Sequence, residues 1–161
     1  MNDHLRIRRA VRAIVLDPDN RILLVRFEFP NGAIRWAAPG GGIRTGEGTL
    51  DALRRELVEE TGLTGASIGP EVWTRTHIVP FVNGRWDGQD ERFFLVRTRA
   101  FHPSPVLSAE ELASEFVTAI RWWTLDELQT TNREFAPARL PELVADLAAN
   151  GPPETPIDAG V

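Results

Sequence analysis

Glu56, Glu59 and Glu60 lie within five residues of one another, in a segment where Leu50, Leu53 and Leu57 recur at helical spacing. A helix over Thr49–Thr61, turning about 100° per residue, gathers the three carboxylates into an arc of roughly 100° beside the leucine stripe. Like charges at these spacings cost roughly a few tenths of a kcal/mol per pair, and anions in the last helical turn oppose the helix dipole. Helix stability alone does not select this arrangement. A solvated acidic face is the plain reading of a Glu-rich helix taken by itself. The other reading is a site for Mg²⁺ or Mn²⁺, hard cations that prefer carboxylate, carbonyl and water oxygens and turn the repulsion into coordination.

The flanking residues decide between these readings. Residues 41–63 run GGIRTGEGTLDALRRELVEETGL, that is Gly, five residues, Glu, seven residues, then Arg-Glu-apolar-any-Glu-Glu-any-Gly-apolar. This segment resembles the Nudix box at every specified position, an agreement expected by chance at one start position roughly once in a billion at average residue usage. Trp36-Ala37-Ala38-Pro39-Gly40 before the box, and Arg121-Trp122-Trp123-Thr124 with Glu127-Leu128 after it, are similar to flanking features of Nudix domains.

The resemblance implies an α/β (α+β) fold, an α/β/α sandwich around a mixed sheet, with the box as a loop, helix, loop unit. It implies metal-ligand positions at Glu56, Glu59 and Glu60, with the backbone carbonyl of Gly41 or Gly40 as a further ligand. Glu47 and Arg55 are expected to pair, Arg55 orienting the box, and Gly62 to hold a structural position at the helix end. The implied reaction is attack by water on one phosphorus of a diphosphate joined to another group. The general base is then a box glutamate or a carboxylate from a later loop. For the later carboxylate the candidate is Glu91, at the start of an apolar strand, although an ordinary charged strand end reads equally well.

These residues need a scaffold. Leu5 to Phe29 reads as two β-rich runs joined by Asp17-Pro18-Asp19-Asn20, a hairpin, and Trp36 to Gly42 reads as a glycine-rich loop. Thr49 suits the N-cap of the box helix and Gly62 its stop. Strand candidates follow near Val72–Val82 and Glu91–Phe101, separated by Asn83-Gly84, and are expected to pair. Pro103 to Ser114 reads as a loop, Val117 to Trp123 as a strand, and Thr124-Leu125-Asp126-Glu127 as a capping box opening a short helix. A last helix covers Leu140 to Ala149. One domain over residues 1–150 is expected, with a disordered tail over 151–161 that carries three Pro.

The 161 residues, 42% hydrophobic and 25% charged, suit a globular domain. No run approaches a membrane span, and cysteine is absent, so a cytoplasmic protein is expected. The net charge of −5 argues against sequence-independent nucleic-acid binding. Absence of Cys, Lys and Tyr removes thiol nucleophiles, Schiff bases and the P-loop lysine. Gly65-Ala66-Ser67-Ile68-Gly69 matches a serine-esterase pattern, yet a helix precedes it and Pro70 follows, the reverse of a nucleophile elbow. His4, His77 and His102 lack zinc spacing.

The expected substrate is a small nucleoside diphosphate derivative: a nucleoside triphosphate, an oxidised nucleotide or an ADP-ribose type compound. Its binding residues are sought between Trp73 and Trp86 and around Arg121–Trp123, where rings could stack on a base and Arg forks could grip phosphate, although most of the five Trp read as core. The protein is expected to act as a monomer or homodimer without nucleic acid or membrane. The competing reading is a non-catalytic Nudix-like nucleotide-binding or regulatory module.

Overall fold

The computed structural model describes residues 4–80 and 84–161. Strands β1 (Ile7–Leu16) and β2 (Ile22–Glu28) form the expected hairpin. The buried Asp17 carboxylate closes its turn, accepting the backbone N–H groups of Asp19 and Arg21 at 2.9 and 2.8 Å. The two strands pair only at Leu16↔Ile22 before they diverge. β4 (Gly40–Gly42) takes the edge of β1 that β2 leaves, with Val11↔Gly41 in register. The stretch from Trp36 to Gly42 is therefore not one loop. It contributes to two short strands, β3 (Ile34–Ala37) and β4, because the diverging hairpin leaves open edges on β1 and β2 that backbone must satisfy.

On its other side β1 pairs in parallel with β6 (Gly88–Arg97), which pairs antiparallel with β5 (Ile68–His77). The two later strand candidates thus do pair, with shifted boundaries. Val82 and Asn83, expected at a strand end and in the turn after it, lie outside the described residues. β7 (Val117–Trp123) lines β2, and β8 (Phe135–Ala136) extends β3. The result is a mixed sheet.

The sheet has an apolar layer on each face. One holds Val11, Ala13, Val15, Leu23, Phe94 and Val96 against Ala52, Leu53 and Leu57 of α1 (Thr49–Thr61). The other packs Ile14, Leu16, Ile22, Leu24, Trp73 and Phe93 against α4 (Leu140–Asn150), with Leu128 of α3 (Leu125–Thr130) joining it. Alternate residues of β1 feed opposite layers, as the two-residue strand period requires. This is the expected sandwich. Three tryptophans, Trp36, Trp73 and Trp123, are core residues.

Three further expectations change. The residue capping α1 is Gly48, with no side-chain cap, rather than Thr49, which already lies inside the helix. The supposed loop before β7 contains α2 (Ala109–Ser114), opened by a capping box in which Ser108 and Glu111 satisfy each other's backbone N–H groups. The tail expected to be disordered is tied down: β9 (Ile157–Asp158) pairs with β5, Ala159 is buried, and Arg75 Nε donates to the Gly160 carbonyl at 3.1 Å. A free edge of β5 supplies partners that composition cannot reveal.

Candidate active site

The expected stripe of α1 included Leu50, but that residue is 39% exposed at the helix start. The buried stripe is Leu53, Glu56, Leu57 and Glu60, the i, i+3, i+4, i+7 pattern of a core-facing helix with carboxylates at two of its four places. Glu60 is 2% exposed, and its Oε2 receives no hydrogen bond. Leaving such an atom without a partner is costly, and the great majority of buried polar groups avoid it. Burial first, then the adjacent Glu56 carboxylate, push the Glu60 carboxyl well above its ordinary value.

Glu56 and Glu60 meet a third carboxylate, Glu115, and the three offer oxygens within 4.8 Å of one another. Sequence reading missed Glu115, which caps the C-terminus of α2. What delivers it is hydrogen bonding at the end of α1. Ser104 N–H donates to the Thr61 carbonyl at 2.9 Å, and the Val106 and Leu107 N–H groups donate to the Glu59 carbonyl at 3.0 and 3.1 Å. These donors satisfy carbonyls left open where the helix ends. Gly62, in the left-handed conformation at φ 79°, makes that turn, and a Cβ there would strike the Ser104 carbonyl. The Ser108–Glu111 capping box was the legible signal that α2 existed. Burial and Glu56 raise the Glu115 carboxyl as well.

Arg55 holds the other box residues. Its guanidinium donates to Glu47 through Nε at 2.8 Å and Nη2 at 2.9 Å, to Glu56 at 2.9 Å, to Glu59 at 3.3 Å and to the Gly42 carbonyl at 3.0 Å. The Glu47–Arg55 pair foreseen above is present, and this fork, with the Arg44 N–H, lowers the Glu47 carboxyl to about 2. Glu59 stands outside the three-carboxylate group, facing Arg55 and, at 3.7 Å, Arg44. Gly41 lies against Glu56, where a Cβ would come within 2.6 Å of Oε1 and displace that carboxylate.

Glu91 is also apart from the group. It is buried on β6 with one oxygen on Arg12 Nε at 2.7 Å and the other on Arg75 Nη1 at 2.6 Å. Burial alone would raise its carboxyl, but Arg12 and Arg75 outweigh burial and lower it. Arg12 also donates to the Ala38 carbonyl, and Glu60 and Glu56 help to hold its cation against desolvation. In the stretches searched for substrate contacts, Arg121 lies 3.6 Å over the Trp123 ring and pairs with Glu127 at 3.0 Å.

Chemically the group is an all-oxygen cage with a surplus of negative charge and one unpartnered buried oxygen, the donor set a hard divalent cation requires. Residues 6–147 match the NUDIX domain model. The chain is 34% identical over 133 residues to an RNA pyrophosphohydrolase of Caulobacter vibrioides, covering 78% of this chain and 76% of that one. It is 35% identical over 100 residues to Nudix hydrolase 25 of Arabidopsis thaliana, 55% of each chain. Among solved structures, a MutT NUDIX hydrolase from Burkholderia pseudomallei superposes with a TM-score of 0.58 at 25% identity, over 84% of this chain and 95% of that one. The NUDIX domain of Shewanella oneidensis NrtR, complexed with ADP ribose, shares the fold with a TM-score of 0.66 at 17% identity, over 88% of each chain. With the family model spanning nearly the whole chain and the box intact on its helix, the protein belongs to the Nudix family.

Proposed function

We propose that this Nudix pyrophosphohydrolase uses water to split the diphosphate linkage of a small nucleoside diphosphate derivative, with Mg²⁺ or Mn²⁺ held by Glu56, Glu60 and Glu115. The observation that carries the reading is the unpartnered Oε2 of Glu60, buried beside two further carboxylates. In this reading Glu59, which faces Arg55 and Arg44, and the Gly41 carbonyl complete the donor set once an ion is bound. A bound divalent cation supplies charge neutralisation at the phosphate oxygens and lowers the pKa of water. The chain's own residues do the rest. Arg55 fixes the rotamers of Glu56 and Glu59 in advance, so little reorganisation accompanies the reaction. Glu91 holds Arg12 against the sheet close to Glu60, a positioning role; service as base or ligand requires one arginine to let go.

The name carried by the Caulobacter relative adds the triphosphorylated 5′ end of an RNA to the substrates worth testing, although a net charge of −5 disfavours a long backbone track. No helix among the described residues is long and apolar enough to cross a membrane, and the reading places the protein in the cytoplasm as a monomer or homodimer. The test is a panel of nucleoside triphosphates, oxidised nucleotides, ADP-ribose and a 5′-triphosphorylated oligonucleotide, each with Mg²⁺ and with Mn²⁺, with Glu59→Gln and Glu60→Gln as controls. Metal-dependent turnover of one class, lost in Glu60→Gln, supports it. Binding without turnover of any compound points instead to a regulatory module.

A further inference from the structure

A chain of hydrogen bonds and ion pairs crosses the sheet from residue 160 to the carboxylate group. Gly160, its own N–H held by Asp158 Oδ1 at 3.0 Å, accepts Arg75 Nε on its carbonyl at 3.1 Å. Arg75 Nη1 donates to one oxygen of Glu91 at 2.6 Å, and Arg12 Nε donates to the other at 2.7 Å. Arg12 Nη1 then reaches the Ala38 carbonyl at 3.1 Å and the Gly40 carbonyl at 3.4 Å. Gly40 closes the path, its N–H facing Glu60 Oε1 at 3.4 Å. The members sit on neighbouring strands, β5, β6, β1 and β4 in that order, and β9 brings Gly160 to the edge of β5.

Covering the edge of β5 does not by itself call for this arrangement. The pairing of β9 with β5, and the Ala159 N–H on the Thr74 carbonyl at 2.8 Å, are backbone bonds that need no charge. Yet two arginines share one carboxylate that is 4% exposed, which leaves an excess positive charge in the interior. Glu60 and Glu56 supply the opposing charge to Arg12. The end of the path has no slack. Arg12 and Gly40 are in register, and a Cβ on Gly40 would lie 2.1 Å from the Val11 carbonyl oxygen and 2.8 Å from Arg12 Cα. Backbone packed this closely passes a shift of Arg12 on to Gly40 rather than absorbing it.

We propose that Gly160, through Arg75 and Glu91, holds Arg12 in the geometry that positions Gly40 and Glu60 for the divalent cation, so that residues 159–161 tune metal affinity from across the sheet. This rests on the metal-dependent reading above. Arg12 and Arg75 are positioning residues, acting through Gly40 and Glu60. Groups that orient metal ligands in this way are worth about 10- to 100-fold in metal affinity or activity.

The test compares the wild-type protein with Arg75→Lys, with a chain ended at Asp158, and with both changes together. Lysine keeps a charge for Glu91 but is a point donor without the fork that also reaches the Gly160 carbonyl. The shortened chain keeps β9 and loses that acceptor. Mn²⁺ binding is titrated by the EPR signal of the free ion at a temperature where every variant is folded, with Glu60→Gln as the control for the site. Hydrogen exchange of residues 38–42 is followed separately in EDTA. Expected are Mn²⁺ Kd values raised about 10-fold in each single variant and a double variant no more than about 2-fold weaker again, with faster exchange at 38–42 and none at 22–25. Kd values within about 2-fold of wild type, or losses that multiply in the double variant, overturn the relay and leave residues 159–161 as a cover for β5. Exchange that rises equally at 38–42 and 22–25 overturns it too, because it reports general loosening. If the wild-type protein binds no Mn²⁺ and exchange still rises at 38–42 alone in the variants, the relay to Gly40 stands and the metal reading falls.

Discussion

Glu60→Gln should make the metal-free protein more stable while disabling it. The Glu56, Glu60 and Glu115 oxygens lie within 4.8 Å of one another. At an effective dielectric of about 20, two unit charges at that separation repel by roughly 3 kcal/mol. Solvent around the exposed Glu115 screens part of this, so the gain expected from an amide is about 1–2 kcal/mol. The amide also gives the cluster a donor that Glu56 can accept from, at the place where Oε2 now has no partner. For a chain of this size 1 kcal/mol moves Tm by about 2–4 °C.

The assay is calorimetry in EDTA and again with Mg²⁺ or Mn²⁺ in excess, together with turnover. The wild-type protein should gain about 2–3 kcal/mol at metal concentrations near a hundred times Kd. Glu60→Gln should start higher, gain little, and turn over at least about 100-fold more slowly. A variant less stable than wild type in EDTA, or one that metal stabilises equally, refutes the idea that these carboxylates are held together for a cation.

Four other perturbations probe the frame around the cluster. Because Glu91 is lowered on folding, its ion pairs stabilise the fold above the unfolded carboxyl value near ~4.3 and are lost as pH falls through the lower folded value; denaturant melts across pH should show Glu91→Gln with a flatter acid limb and about 3 kcal/mol less stability at neutral pH. Arg55→Lys keeps the charge but not the fork on Glu47, Glu56 and Glu59, and steady-state kinetics should show kcat down by about 10-fold or more. Gly62→Ala forces a Cβ against the Ser104 carbonyl at φ 79° and should cost about 2 kcal/mol or more in urea unfolding. Ending the chain at Gly151 removes β9, the buried Ala159 and the Gly160 carbonyl that Arg75 bonds; a loss of about 1–3 kcal/mol by calorimetry puts the domain boundary at the last residues, and no loss returns it to about residue 150.

The box helix was legible because its pattern is local: a 3.6-residue apolar period, a glycine stop, and charges whose mutual cost demanded a reason. The short helix α3 was legible for the same kind of cause, since Thr124 and Glu127 cap each other within four residues. What escaped depends on partners distant in sequence. β4 exists because β2 leaves the edge of β1, and β9 exists because β5 has a free edge more than eighty residues earlier. Glu115 could not be singled out by type or spacing, lying 55 residues beyond Glu60; backbone bonds from residues 104–107 to the end of α1 bring it there. Glu91 is legible only as a charge at a strand, because its two arginine partners lie on different strands, Arg12 of β1 and Arg75 of β5.

The arrangement of α1 ties the site to the fold in a specific way. Two of the four positions of its buried stripe are carboxylates, so the helix docks through Ala52, Leu53 and Leu57 with less apolar area than its length allows. Its C-terminal turn is instead held by the 104–107 segment, and its acidic edge by the Arg55 fork, which reaches three glutamates and the Gly42 carbonyl. These are hydrogen-bonded, directional restraints rather than hydrophobic ones, and of the three clustered carboxylates the fork holds Glu56. The three clustered carboxylates offer oxygen alone, a donor set that favours hard cations over soft ones.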